Sequence, residues 1–170
     1  MKIYRGGGEK RPTNSRKLRV LFALFKMPVI NKLVRRHLMK ALNLPKTAAI
    51  NQGFYCSAPN IEVGECTGLG NLYIIAFEKV KIGSHCSFSF NNMILTSSHD
   101  YQDFSTVVAK PVVIGDSVWV TSNVTILPGV TIGSNTIIGA GSVVTKDIPS
   151  GVFAAGNPCK VIKKIQFNIR

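Results

Sequence analysis

Only three histidines, His37, His85 and His99, stand in this 170-residue chain, and they are the first side chains to weigh for proton transfer at neutral pH. His99 lies in the polar stretch "SSHDYQDFSTVVAKP", residues 97–111. His85 lies in a regular repeat and His37 in a helical pattern, so both read as structural, and His99 is the candidate general base. Asp100 adjoins it, but neighbours in sequence rarely face each other. Asp100 therefore reads as a loop residue, and the group that orients His99, a carboxylate or a backbone carbonyl, is expected from elsewhere. The four cysteines, Cys56, Cys66, Cys86 and Cys159, form no C-x-x-C pair and show no metal-ligand spacing. They read as single thiols in a reducing compartment. No metal site is expected.

The elements that must hold His99 announce themselves by an unusual period. Ile114, Val120, Ile126, Ile132, Ile138 and Val144 form a ladder of aliphatics at spacing six. Two places before each of the last five stands Val118, Val124, Val130, Thr136 or Ser142, all small or β-branched. Upstream, Ala76, Ile82, Phe88 and Ile94 repeat the spacing, partnered by Ile74, Val80, Cys86 and Asn92. Neither a helix nor a simple strand asks for an apolar residue every sixth position. A six-residue unit fits one short strand plus its corner; three units make a triangular coil, and stacked coils form a hexapeptide β-helix. Gly115, Gly133 and Gly139 follow ladder residues, where space or backbone geometry is expected to be tight. From Ile94 to Ile114 the count is 20, two more than three full units, so the repeat breaks there. A loop leaving a rigid stack is a natural place for chemistry, and His99 stands at its departure.

Charge divides the chain. Of 21 Lys and Arg, thirteen fall in residues 1–47 against one acid, Glu9, a local charge of +12; residues 48–170 carry eight against seven. Residues 1–14 are expected to be mobile or draped over a neighbour. A helix is predicted from about Ser15, closed by Pro28. A second follows in "VINKLVRRHLMKAL", with Ile30, Leu33, Val34, His37, Leu38, Ala41 and Leu42 on one face and Pro28 in its first turn. Two readings of this arm stay open: a solvated helical pair that packs between subunits, or peripheral contact of residues 1–47 with an anionic membrane. Nucleic acid is a poor partner, because no recognised motif or aromatic platform accompanies the charge. The apolar run "VLFALF", residues 20–25, falls well short of the ~20 residues a span requires. It lacks a cleavage site, so a cytoplasmic location is expected.

The stretch "KPVVIGDSVWVTSNVTILPGVTIGSNTIIGAGSVVTKDIP", followed by "VFAAGNPCKVIKKI", resembles the hexapeptide-repeat O-acetyltransferases, especially the galactoside, maltose and nodulation-factor group. "SSHDY" looks like the colanic-acid type of polysaccharide acetyltransferase. The resemblance covers residues 60–165 and implies a left-handed parallel β-helix and a homotrimer. It also implies acetyl-coenzyme A as co-substrate, in a cleft between subunits, and a saccharide acceptor. His99 matches the family's catalytic histidine, and Asn71 in "GNLYI" an asparagine that places the acceptor hydroxyl. Trp119 and Ser122 match positions at the pantetheine end, with the Ser122 N–H as an oxyanion donor. Ala140, Thr145, Lys146, Lys160 and Lys163 match cofactor-contacting positions. Lys160 and Lys163 stand where the galactoside group commonly has arginine, which replaces bidentate phosphate contacts by point charges.

The expected organisation is thus a basic helical arm over residues 1–58 and a mainly β acyltransferase domain over 59–170, with an active-site loop at 97–111 and a basic tail. The expected function is acetyl transfer to a hydroxyl of a cell-surface polysaccharide precursor. Transfer to a nucleotide-sugar amine is the alternative within the fold, and a non-enzymatic prism the alternative outside it. The β-helical carbonic anhydrases need three histidine ligands for a metal; here His85 and His99 stand 14 apart and His37 precedes the prism, which disfavours that class.

Overall fold

A computed structural model of the chain describes residues 1–4 and 11–166. Its body is a triangular prism of five stacked coils, each built from strands of two to four residues. One face holds Gly68–Gly70, Ser87–Phe88, Trp119–Val120, Ile137–Ile138 and Val152–Ala155. A second holds Tyr73–Ile75, Met93–Leu95, Thr125–Ile126 and Val143–Val144, and a third Ile61–Val63, Val80–Ile82, Val112–Ile114 and Thr131–Ile132. Neighbours within each of these runs pair in parallel, coil upon coil.

Register explains the period of six. Ile94 pairs with Ile126 and Ile126 with Val144; Ile82 pairs with Ile114 and Ile114 with Ile132. Every ladder residue, and every small partner two places before, is buried. The polar members of the column find backbone partners. Thr136 Oγ1 donates to the Pro149 carbonyl at 3.0 Å, and Asn92 Oδ1 accepts the Val124 N–H at 2.9 Å. The corners are equally repetitive. Cys66, His85, Ser117 and Asn135 hold positive φ of 55–57° on one edge, as Asn91 and Asn123 do at 57–58° on another. His85 is therefore a corner residue, its N–H donating to the Glu65 carbonyl below. Gly115 is required by space, since a Cβ there would lie 2.7 Å from the Ser134 backbone nitrogen; Gly139 is likewise blocked, by Ala155.

Several features depart from the expectations. The lowest coil begins at Ala49–Ile50, inside the segment assigned to the arm. Helix α1, Arg16–Phe25, starts as predicted, with the Ser15 hydroxyl accepting the Leu18 N–H at 3.2 Å. Helix α2 spans Asn31–Ala41, so Pro28 lies in the connecting turn and not in its first turn. Of the predicted apolar face, Val34, Leu38 and Leu42 are buried, whereas Leu33, His37 and Ala41 face solvent. The helices rest on the prism through Phe22, whose ring lies 5.0 Å from Tyr55, itself stacked on Tyr73 at 4.8 Å. Segment 97–111 is no open loop: Ser97–His99 and Val107–Ala109 form an antiparallel hairpin.

The start of the chain, expected to be mobile or draped over a neighbour, supplies a third strand to that hairpin. Lys2–Tyr4 pairs with Val107–Ala109, placing Tyr4 opposite Val107, which is itself opposite His99. Tyr4 is buried against Phe77, its hydroxyl donates to the Phe77 carbonyl at 3.0 Å, and Lys2 meets Glu78 at 2.6 Å. Of the remainder of that expectation, residues 5–10 lie outside the described residues and residues 11–14 are described. Among those four, Asn14 is buried and donates to the Cys56 carbonyl at 2.6 Å.

Ile132 is fully buried between the columns. Ile132→Asp should introduce an unpaired charge into a dry stack and cost more than about 4 kcal/mol, the range reserved for such insults. Thermal melting of the purified variant checks this; a melting point close to wild type would refute the column assignment.

Candidate active site

The break in the repeat places His99 at the corner between the second and third faces, on the strand Ser97–His99 that continues outward from Met93–Leu95. The imidazole is exposed, and Nδ1 lies 2.6 Å from the Phe104 carbonyl oxygen. A carbonyl only accepts, so Nδ1 carries the hydrogen and the neutral ring presents an unprotonated Nε2. The orienting group is thus a backbone carbonyl, contributed from across the hairpin turn.

That turn is built by a residue the sequence reading passed over. Asp103 Oδ1 accepts from the Ser105 N–H at 2.9 Å and its hydroxyl at 2.7 Å, and Oδ2 accepts from the Thr106 hydroxyl. The Thr106 N–H donates to the Asp103 carbonyl, and the Asp100 N–H to the Thr106 carbonyl, both at 2.9 Å. Phe104 is thereby held with its carbonyl toward His99. Asp100 caps the turn by accepting the Gln102 N–H at 2.8 Å and has no bond to His99. The available signal was the "D-x-S-T" pattern of residues 103–106, a side-chain-capped turn.

The other candidate residues fall into separate groups. Trp119 projects half-exposed from the first face, its indole N–H donating to the Ser89 hydroxyl at 3.2 Å. With Ile137, Ala140, Phe153 and Lys163 it lines an apolar cavity of about 470 Å³. Asn71 and Ser122 occupy the corner between the first and second faces. Asn71 exchanges two hydrogen bonds with Asn91, at 2.9 and 3.1 Å, and the Ser122 carbonyl accepts the Gly141 N–H at 3.0 Å. Thr145 and Lys146 are exposed on the same edge as His99, higher in the stack. Lys160 opens the final strand, Lys160–Lys164, which runs antiparallel to Val152–Ala155 and carries Lys163 opposite Phe153. Among the described residues, no hydrogen bond or ion pair joins His99 to Asn71, Trp119 or Ser122. They occupy different corners and faces of one prism.

Three of the four thiols are buried, and the exposed one, Cys66, lies on a different edge from His99. Burial pushes Cys56 up to about 12 and raises Cys86 and Cys159, which keeps all three protonated at neutral pH. Among the described residues no three His, Cys, Asp or Glu side chains gather as a metal site.

Residues 111–146 match the family described as bacterial transferase hexapeptide (six repeats). The chain is 43% identical over 99 residues to a galactoside O-acetyltransferase of Escherichia coli K12, a stretch covering 56% of this chain and 49% of that protein. It spans about half to three fifths of the length of the curated relatives it matches. Among solved structures, a maltose O-acetyltransferase from Clostridium difficile 630 is 37% identical, with a TM-score of 0.80 over 89% of this chain and 86% of that one. A galactoside acetyltransferase in complex with coenzyme A is 30% identical, with a TM-score of 0.77 over 99% and 92% of the two chains.

The geometry at His99 predicts a definite tautomer. In ¹⁵N-correlated spectra at alkaline pH, His99 should show the Nδ1–H pattern, and Asp103→Ala should mix the two tautomers by releasing the turn. A dominant Nε2–H form in the unaltered protein would overturn the assignment.

Proposed function

The chain belongs to the hexapeptide-repeat acetyltransferases, and we propose that it moves acetyl from acetyl-coenzyme A to a hydroxyl of a saccharide, with His99 as general base. The observation that carries this reading is the exposed His99, fixed in one tautomer by the Phe104 carbonyl at the break in the coils. Its Nε2 takes the proton of the acceptor hydroxyl as that oxygen attacks the thioester carbonyl. Backbone N–H groups near Ser122 meet the developing oxyanion. The tetrahedral intermediate collapses, the carbon–sulfur bond breaks, and the imidazolium returns its proton to the departing thiolate. The three buried thiols are unsuited to act as nucleophiles, and the exposed Cys66 stands on a different edge of the prism from His99, which favours direct transfer over an acyl-enzyme.

Substrate placement follows from the separation of the parts. The apolar cavity under Trp119 suits the pantetheine arm, with Ala140 on its wall, and Lys160, Lys163, Thr145 and Lys146 are the reading's contacts for the rest of the donor. Asn71 holds the acceptor hydroxyl. His99 and Trp119 lie on different sides of one prism, so a second copy must bring its own Trp119 face against this chain's His99 corner. A ring of three prisms closes that contact into three equivalent clefts. The relatives named as O-acetyltransferases support a hydroxyl over an amine, and the resemblance of "SSHDY" supports a polysaccharide precursor as acceptor. The reading places the reaction in the cytoplasm.

His99→Asn keeps the size of the side chain but cannot accept and return a proton. Turnover should fall on the order of 10²–10⁴-fold, with the affinity for acetyl-coenzyme A, measured by calorimetry, within a few-fold of wild type. A variant retaining more than about a tenth of wild-type turnover is outside that range and rules out the general-base role.

Replacing Lys160 and Lys163 together by Glu should raise the Michaelis constant for acetyl-coenzyme A, while turnover at saturating donor changes less. Phosphate contacts of this sort are made in ground and transition states alike. Steady-state kinetics with varied donor decides it; an unchanged constant would place the phosphates elsewhere.

A further inference from the structure

The helical hairpin that precedes the coils is unused by the reaction above, and its surface has a chemistry of its own. Residues 11–61 contain ten Lys and Arg and no Asp or Glu. Among the described residues, none of those ten is in an ion pair. Only one stripe of each helix is covered: Leu18, Phe22 and Phe25 on α1, and Val34 and Leu38 on α2. Around the turn that joins them, large apolar side chains stand in solvent. Val29 is 90% exposed, Leu33 70% and Met27 51%. Lys26, Lys32, Arg35 and Arg36 are interleaved with them, all exposed. Scattered single apolar residues on a surface need no explanation, but a cluster ringed by one sign of charge does.

We propose that the tip of the α1–α2 hairpin docks this protein on an anionic lipid surface, with Val29, Leu33 and Met27 entering the headgroup layer and the surrounding cations meeting lipid phosphates. Two features commit the surface to lipid. An acid-free rim matches an anionic bilayer but repels a second copy of the same hairpin, and bare aliphatic side chains have no role against a nucleic-acid backbone. Further along α2, Arg36, Met39, Lys40, Asn43, Leu44 and Lys46 enclose a cavity of about 620 Å³. Its three cations over Met39 and Leu44 suit a phosphate headgroup with the start of its acyl stem. The arrangement is that of an interfacial anchor, and no helix among the described residues is long and apolar enough to cross a membrane. Each cation near an anionic bilayer contributes roughly fivefold in affinity. The proposal is independent of the acetyl-transfer reading and stands or falls without it.

The test is co-sedimentation of the full chain with vesicles of phosphatidylcholine alone and of phosphatidylcholine mixed with phosphatidylglycerol. The expected result is binding to the mixed vesicles, weakened by salt, and little binding to phosphatidylcholine. Val29→Ser with Leu33→Ser removes the apolar tip, and Arg36→Glu with Lys40→Glu reverses part of the rim. All four side chains are exposed, so thermal melting should confirm that the fold is kept. Each double variant should lose at least about tenfold in binding to the mixed vesicles, the rim variant by the cation contribution above. No binding to mixed vesicles, equal binding to both compositions, or undiminished binding by the Val29→Ser, Leu33→Ser variant would overturn the proposal. A change in sedimentation coefficient with vesicle binding unaltered would instead assign the tip to a contact between copies.

Discussion

Each coil of the prism is held to the next by backbone hydrogen bonds that run along the axis, and this forces every inward side chain to sit on its counterpart one coil away. Val120 must share a column with Ile138 and Ala154, and Ile74 with Ile94, Ile126 and Val144. Each column must be filled without gaps, so its side chains trade volume from coil to coil, as Phe88, Val120, Ile138 and Ala154 do. Everything else hangs on that constraint. Because the stack fixes the corners, a segment inserted at one of them leaves from a defined place and direction, and the His99 hairpin inherits a rigid base.

The same constraint governs what could be read in advance. Where columns repeat, from Ile74 to Val144, spacing alone identified the inward positions, because every unit of strand and corner returns an apolar side chain to the interior, every third one to the same column. The lowest coil escaped notice. Its inward residues, Ile50, Phe54, Cys56, Ala58 and Ile61, differ widely in size and keep the spacing of six only from Ile50 to Cys56. It has a neighbour on one side only, and Phe22 of α1 packs on its Phe54 and Tyr55, so its volumes answer to a helix and not to another coil. The helical stripe was drawn too wide for a related reason: periodicity marks which residues share a side of α2, whereas burial of Val34 and Leu38 but not Leu33 depends on where α1 and the prism lie.

The candidate site was legible as a set of residues but not as an arrangement. The break in spacing located His99, and no pattern could reveal that its partner is the Phe104 carbonyl, since backbone atoms carry no sequence signal. Asp103 acts through the turn it builds, at a distance from the imidazole. Asn71, Trp119 and His99 were gathered by resemblance, and within one chain the prism keeps them on separate corners and faces.

The strand Lys2–Tyr4 adds an element of time. It is made well before the strand it pairs with, Val107–Ala109, which follows about a hundred residues later. At synthesis rates of ~5–20 residues per second, it waits on the order of 5–20 s for its partner to emerge. In that interval the helices and the lower coils can already form from neighbouring segments. The hairpin that carries His99 reaches its three-stranded form only afterwards, so the segment at the break in the coils also closes the longest loop in sequence among the described residues.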